Sequence, residues 1–251
     1  MDRAPGSPPD LRPRGFFMPD STVSPSLCEA SMARRPSTHP PRLDTLRVVE
    51  RAPGDADSLD TDDDRELEEF SGVDFSDRDL SGITLRECSL DDVTLTDANL
   101  RGSRLIESVL TGINAPILRS SRSTWRDVTL SRSRIGSGEL FDATWQSVRI
   151  SGSKLGYVNL RGSSLTDVLF EDCTIDELDL GGANATRVAF TGTRVQTLDL
   201  TRSTLTHVDL RGLEFQAIHG LEGLKGATVS EYQLSELAPL FATQLGILVE
   251  G

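Results

Sequence analysis

The chain is short of several things that ordinary globular proteins use. Aromatic residues make up 5% of its 251 residues, with two tryptophans and two tyrosines. So thin a supply excludes a wide core built on large rings and suits a narrow one filled by Leu and Val. Only Lys154 and Lys225 are lysines; every other basic residue is Arg, and the formal net charge is −13. An acidic chain of this kind is a poor general binder of nucleic acid, and the Arg preference fits a GC-rich coding sequence. Cys28, Cys88 and Cys173 are odd in number and far apart, which argues against a disulfide framework or a zinc site. No apolar run approaches the ~20 residues of a membrane-spanning helix. No continuous hydrophobic stretch marks a secretory leader, so a cytoplasmic location is expected. There is no HExxH, paired CxxC, GxSxG, P-loop or GxGxxG after a strand. His39, His207 and His219 are scattered without convergent partners. Asp176 and Asp179 are expected to point outward, exposed and without an apolar pocket to raise a pKa. Catalysis, cofactors and metals are therefore not expected.

What the chain does have is repetition. From Phe70 to Phe215 an apolar residue returns at every fifth position: Phe70, Phe75, Leu80, Leu85, Leu90, Leu95, Leu100, and so on to Leu200, Leu205 and Leu210. Two places before each stands a small or β-branched residue such as Val73, Cys88, Val93, Ala98, Ser108 or Val148. Such internal repetition decides architecture before any local propensity does. On an α-helix, five residues turn a side chain about 140° off its starting face, so no apolar stripe persists. On a flat strand an odd step alternates faces. The pattern therefore requires a bend in every repeat, always turning the same way, and chains that do this are solenoids whose coils stack at about 4.8 Å.

Ala98-Asn99-Leu100-Arg101-Gly102, Val158-Asn159-Leu160-Arg161-Gly162 and Val208-Asp209-Leu210-Arg211-Gly212 resemble the A-(D/N)-L-x-x unit of pentapeptide-repeat proteins. The resemblance covers about 30 units, roughly three-fifths of the chain. It implies an all-β fold, a right-handed quadrilateral parallel β-helix with four units per coil and a short C-terminal helical cap. About seven to eight coils, or roughly 36 Å of rod, are expected. Residues twenty apart then stack, so Trp125 should lie on Trp145 and Phe170 on Phe190. Offset aromatic stacks of this kind are a packing solution.

Three regions follow. Residues 1–65 lack a sustained period, are broken by prolines and carry an acidic run from Asp55 to Asp64, which reads as a disordered tail and solvated linker. Within it Phe16-Phe17-Met18 is the one apolar cluster before a stretch, Leu43–Val49, suited to capping the first coil; Met32 is an alternative start. Residues 66–219 are the β-helix. Between Thr111 and Trp125 the lattice is disturbed: Ala115 and Ser120 replace large centres while Ile113 and Leu118 enlarge the small positions, a swap that keeps core volume. Pro116 should remove a ladder bond or mark a bulge. An Arg-rich waist from Arg101 to Lys154 separates acidic ends, with Arg119 expected under Glu139 and Arg122 under Asp142. Residues 220–251 read as a cap. Ser230-Glu231-Tyr232-Gln233 has the form of a capping box, and a short helix follows with Leu234, Leu237, Phe241 and Leu245 along one face, then a terminal strand Ile247–Val249. That face is the candidate cap or homodimer surface.

Two functions fit. One is a non-enzymatic rigid rod that binds an unknown protein partner. The other, implied by the resemblance to quinolone-resistance members of the family, is a dimeric DNA mimic that occupies the DNA-binding groove of gyrase or a related topoisomerase. Direct nucleic-acid binding by the waist is disfavoured by the acidic coils around it.

Overall fold

The structure, a computed structural model, describes Met1, residues 38–47 and residues 49–250. Phe16-Phe17-Met18, Cys28 and Met32 lie outside the described residues. The account below concerns the unit Ser37–Gly251.

The five-residue period folds as a parallel β-solenoid of about nine coils. Between the two end coils each coil pairs with the next at a step of twenty residues: Phe70 opposes Leu90, Leu90 opposes Leu110, and Leu110 opposes Leu130. The same column continues through Ile150, Phe170 and Phe190. One sheet of 14 strands runs from Ala52–Pro53 to Ala227–Thr228. A second sheet of six strands runs from Asn114–Arg119 to Leu213–His219.

Both inward positions are buried in most repeats, with Val73, Leu100 and Phe215 half-buried, and the core is one continuous apolar column from Leu59 to Leu213. Trp125 and Trp145 stack at 4.8 Å with planes 13° apart, and Phe170 and Phe190 at 5.1 Å and 9°. Serine recurs at the small inward position for a reason the period alone does not show. Ser133 Oγ donates to Ser131 O and accepts from Ile113 N at 3.1 Å; Ser153 Oγ does the same for Ser151 O and Ser133 N. Each hydroxyl satisfies an amide of the coil before it. A buried donor left without a partner would cost about 1–3 kcal/mol.

Three boundaries differ from expectation. The lattice begins before residue 66: Ala52 pairs with Glu68, and Asp64–Glu66 pairs with Thr84–Arg86. The acidic run is held in the first coil because Asp55 caps the short turn Ala56–Ser58 and the Arg65 guanidinium binds Asp63 at 2.9 Å. Leu59 is buried there, and its carbonyl accepts from Arg78 at 2.5 Å. The lattice also outlasts residue 219, since Val208 and Asp209 pair with Ala227 and Thr228. These two extensions raise the coil count above the expected seven to eight. At the C-terminus, Ile247–Val249 forms no strand; these residues are exposed beyond the helix.

The disturbed coil is repacked without a break in register. Ala115, Ser120, Ile113 and Leu118 are all buried, so the exchange of sizes is realised. Pro116 causes neither a bulge nor a lost ladder partner. Asn114, Ala115, Ile117, Leu118 and Arg119 pair normally with the next coil, and the position of Pro116 is skipped in every rung of that sheet.

Candidate interaction surfaces

A coil turns sharply where its backbone enters the left-handed region. The repeat supplies Gly or Asp at many of these corners, for example Asp62, Gly82, Gly102, Asp142 and Gly162. Outward side chains therefore emerge in straight ladders, one per coil, on a fully paired backbone. Ion pairs decorate the ladders. Arg122 approaches Asp142 at 3.9 Å as expected, but Arg119 turns the other way and binds Asp97 at 2.9 Å, not Glu139. From Arg119 a carboxylate is available on either side, one coil up or one coil down, and only the packed side chain chooses. Most such pairs are exposed, so each contributes little.

Asp179 corrects the reading of an exposed carboxylate. It is 4% exposed and accepts from Arg161 at 2.9 Å, Tyr157 Oη at 3.2 Å and Gly181 N at 2.8 Å. Burial, then the Asp179 carboxylate, push the Tyr157 hydroxyl above its ordinary pKa. Asp176 remains exposed. The Cys88 and Cys173 thiols are free, buried and pushed up by that burial. They act as small core residues. Among the described residues no group of three or more His, Cys, Asp or Glu side chains could hold a metal ion. Nor is any helix there long and apolar enough to cross a membrane.

At the C-terminal end the helix spans Glu231–Gln244 with Ser230 as N-cap. The capping box is formed: Gln233 N donates to Ser230 Oγ at 3.1 Å and Ser230 N to Gln233 Oε1 at 2.8 Å. Gln233 does a second task that the motif did not announce. Its Nε2 donates to Leu210 O at 2.7 Å and Leu213 O at 2.8 Å, closing carbonyls of the last coil. The helix therefore docks through Gln233 and Leu237, both buried, with Phe241 half-buried. Of the four residues expected on one face, Leu234 and Leu245 point away and are 52% and 73% exposed. A spacing of four from a polar residue, Gln233, set the docked face, which apolar spacing could not show. Leu234, Leu240 and Leu245, followed by Ile247, Leu248 and Val249, form the exposed apolar end of the described chain.

The segment 38–50 does not cap the first coil. It runs along the side of the solenoid, against the corner column that contains Glu87, Glu107, Asp127, Ser147, Asp167 and His207. Arg51 Nε donates to Glu87 O at 2.6 Å, Asp44 N to Ser147 Oγ at 3.0 Å, and Arg42 N to Asp167 Oδ1 at 2.8 Å. Thr38 and Thr228 share a hydroxyl hydrogen bond. His39 and His207 meet edge to face, ring centroids 4.4 Å apart, although neither had an evident partner in the sequence. Leu43, Leu46 and Val49 are half-buried.

Parallel coils with this period and these buried centres define a pentapeptide solenoid. The family model for pentapeptide repeats matches residues 69–112 and 153–192 in eight copies. Over those residues the chain carries pentapeptide repeats. Among solved structures it is similar to full-length QnrB1, a plasmid-mediated fluoroquinolone resistance protein, at 19% identity and a TM-score of 0.38, over 79% of this chain and 95% of that one. It is also similar to HetL of Nostoc sp. strain PCC 7120, a pentapeptide-repeat protein involved in heterocyst differentiation regulation. That match has 20% identity and a TM-score of 0.30, over 67% of this chain and 90% of that one. No curated protein sequence matches significantly.

Proposed function

We propose that the chain is a non-enzymatic interaction rod whose outward ladders bind a protein partner. The observation that carries this reading is the fate of its ionisable groups. At Arg161–Asp179 and Arg187–Asp167 they neutralise one another on the solenoid surface. A frame that repeats every coil, with neighbours fixed by backbone pairing, suits recognition by an extended rigid surface.

The second reading is a dimeric DNA mimic acting on gyrase. A net charge of −13 favours it, as do the exposed apolar residues Leu234, Leu240 and Leu245, which suit a homodimer seam at the C-terminal cap. The Arg-rich waist counts against it, because it interrupts the acidic surface such a mimic presents.

One titration separates the two. Purified protein is added to a gyrase supercoiling reaction with and without a fluoroquinolone, alongside light scattering at tens of micromolar. Protection or inhibition that weakens with salt, together with a dimer, supports the mimic. A monomer without effect on gyrase leaves the interaction rod, whose partner is then sought by pull-down. Loss of binding on reversing surface ladder charges, with the fold intact, is the result that reading expects.

A further inference from the structure

The segment 38–50 occupies a face of the solenoid in the manner of a bound peptide. Two of its anchors are main-chain amides, Arg42 N and Asp44 N, two residues apart. Their acceptors, Asp167 and Ser147, are one coil apart. A two-residue step of extended chain, about 6.6 Å, can follow a coil spacing of about 4.8 Å by running obliquely across the coils. The face thus reads backbone, so it does not demand one sequence.

The acceptors are themselves fixed. Asp167 is clamped by Arg187 through Nε at 2.6 Å and Nη2 at 2.7 Å. Ser147 lies between Gln146 and Val148, which pair with the coils on both sides. Charge is complementary as well. Arg47 shares an open cleft with Glu87, Glu107, Asp127 and the segment's own Asp44. Carboxylates outnumber cations there: Asp44, Glu87, Glu107 and Asp127 face Arg47, and Arg126 approaches Asp127 at 3.7 Å. Most of the segment is exposed or half-buried, so little apolar surface holds it down.

We propose that residues 38–50 are a displaceable strap, an internal occupant of the face built on Glu87, Glu107, Asp127, Ser147 and Asp167, and that they hold this face closed against an extended, arginine-rich segment of a protein partner. This deepens the interaction-rod reading and rests on it: the strap shows which side of the rod an extended partner fits and what charge it carries.

The test uses the full chain, and its first variant leaves the solenoid face untouched. The double variant Arg42→Pro, Asp44→Pro removes both anchoring donors from the strap alone. Circular dichroism checks that the solenoid is retained, and the rate of tryptic cleavage after Arg47 reads strap release. The binding probe is fluorescein-labelled nona-arginine, measured by anisotropy at 0.15 M salt. The proposal expects cleavage after Arg47 to be at least tenfold faster in the variant and nona-arginine to bind it about tenfold more tightly than the wild type. Adding Glu107→Gln and Asp127→Asn to the variant should abolish that gain. Equal affinity for both proteins, with the strap released in the variant, overturns the gating while leaving an interaction rod. No binding by either protein, with the strap released, overturns the acidic docking face and with it this route for a partner. Cleavage as fast in the wild type as in the variant overturns the seated strap itself.

Discussion

The coils before residue 114 and those after it share one period yet differ in backbone. In the first group strands are two to four residues long, as at Thr84–Arg86 and Glu68–Ser71, and one side of the coil holds only isolated bridges such as Asp74 to Thr94 and Asp79 to Asn99. In the second group the same side becomes strands of six residues or more, such as Asn114–Arg119, Arg134–Glu139 and Lys154–Asn159, and the opposite strands lengthen to eight from Thr124–Ser131 to Asn184–Thr191 before splitting again into Thr204–Thr206 and Val208–Asp209. The switch lies at one position per coil. Asp77 and Asp97 sit there with φ of 59° and 56°, turning the chain. Twenty residues on, Ile117, then Ser137, Tyr157 and Glu177, are in extended strands. Asp tolerates the left-handed region, whereas a β-branched residue such as Ile117 does not. A solenoid period therefore fixes where side chains point but leaves the corner geometry to single residues.

That contrast can be broken in four places, taken here from the largest effect down. The aromatic stack exists only in the later coils, so Trp145→Ala should destabilise the chain by about 3–5 kcal/mol in urea unfolding. Trp145→Phe should recover most of this, because neither indole N–H in the stack has a hydrogen-bond partner to lose. A loss for Phe as large as for Ala would show that the indole is bound after all.

Backbone closeness gives the second contrast. A Cβ at Gly156 would stand 2.1 Å from Gly136 O, while one at Gly102 would meet nothing within 4 Å. Gly156→Ala should lower stability by about 2–3 kcal/mol through overpacking. Gly102→Ala should cost about 1 kcal/mol, from its φ of +70° alone. Comparable thermal midpoints for the two variants would contradict the close approach of the later coils.

The corner switch itself is the third. Asp97→Ile places a β-branched side chain at positive φ and should cost roughly 1–2 kcal/mol in the early coils. The equivalent change Ser137→Ile, in an extended and half-buried strand position, should lie within about 0.5 kcal/mol of wild type. If both variants melt alike, residue type at this position does not select the backbone.

The smallest effect is electrostatic. Burial pushes Asp167 up, but Arg187 and the Arg42 amide outweigh it and hold the carboxyl below its ordinary value. A lowered folded pKa contributes stability that is present above the unfolded value near 4 and lost as pH falls through the folded one. Asp167→Asn should therefore flatten the acid limb of the stability profile below about pH 4. In the early coils Asp64→Asn breaks only an exposed pair with Arg86 and should change stability by less than about 0.5 kcal/mol at neutral pH. An acid limb unchanged by Asp167→Asn would remove this pair from the account.

Much of this molecule was legible in its repeats. Side chains twenty apart had to stack once four units closed a coil, so the Trp125–Trp145 and Phe170–Phe190 pairs, the buried Ile113 and Leu118, and the formed capping box at Ser230 all followed from spacing and residue size. These are local rules applied many times, and repetition corrects single ambiguities. The interaction surfaces were less legible. Gln233 looked like half of a capping box, yet it also closes the last coil, because its amide nitrogen reaches carbonyls 20 and 23 residues earlier. The Arg119 guanidinium chose Asp97 over Glu139, a decision between near-equal neighbours that side-chain packing makes.

The period, the polarity of the two inward positions and the turn residues determined by themselves that this chain is a stacked parallel solenoid with a narrow Leu-rich core. Only the tertiary structure decided where residues 38–50 lie, that His39 meets His207, and which face of the C-terminal helix docks. The physical reason is range. The repeat couples residues twenty apart and can be read as a rhythm. The strap is held by contacts 103, 125 and 190 residues apart, made by a serine, an aspartate and a threonine that are ordinary corner or edge residues until a second segment is laid against them.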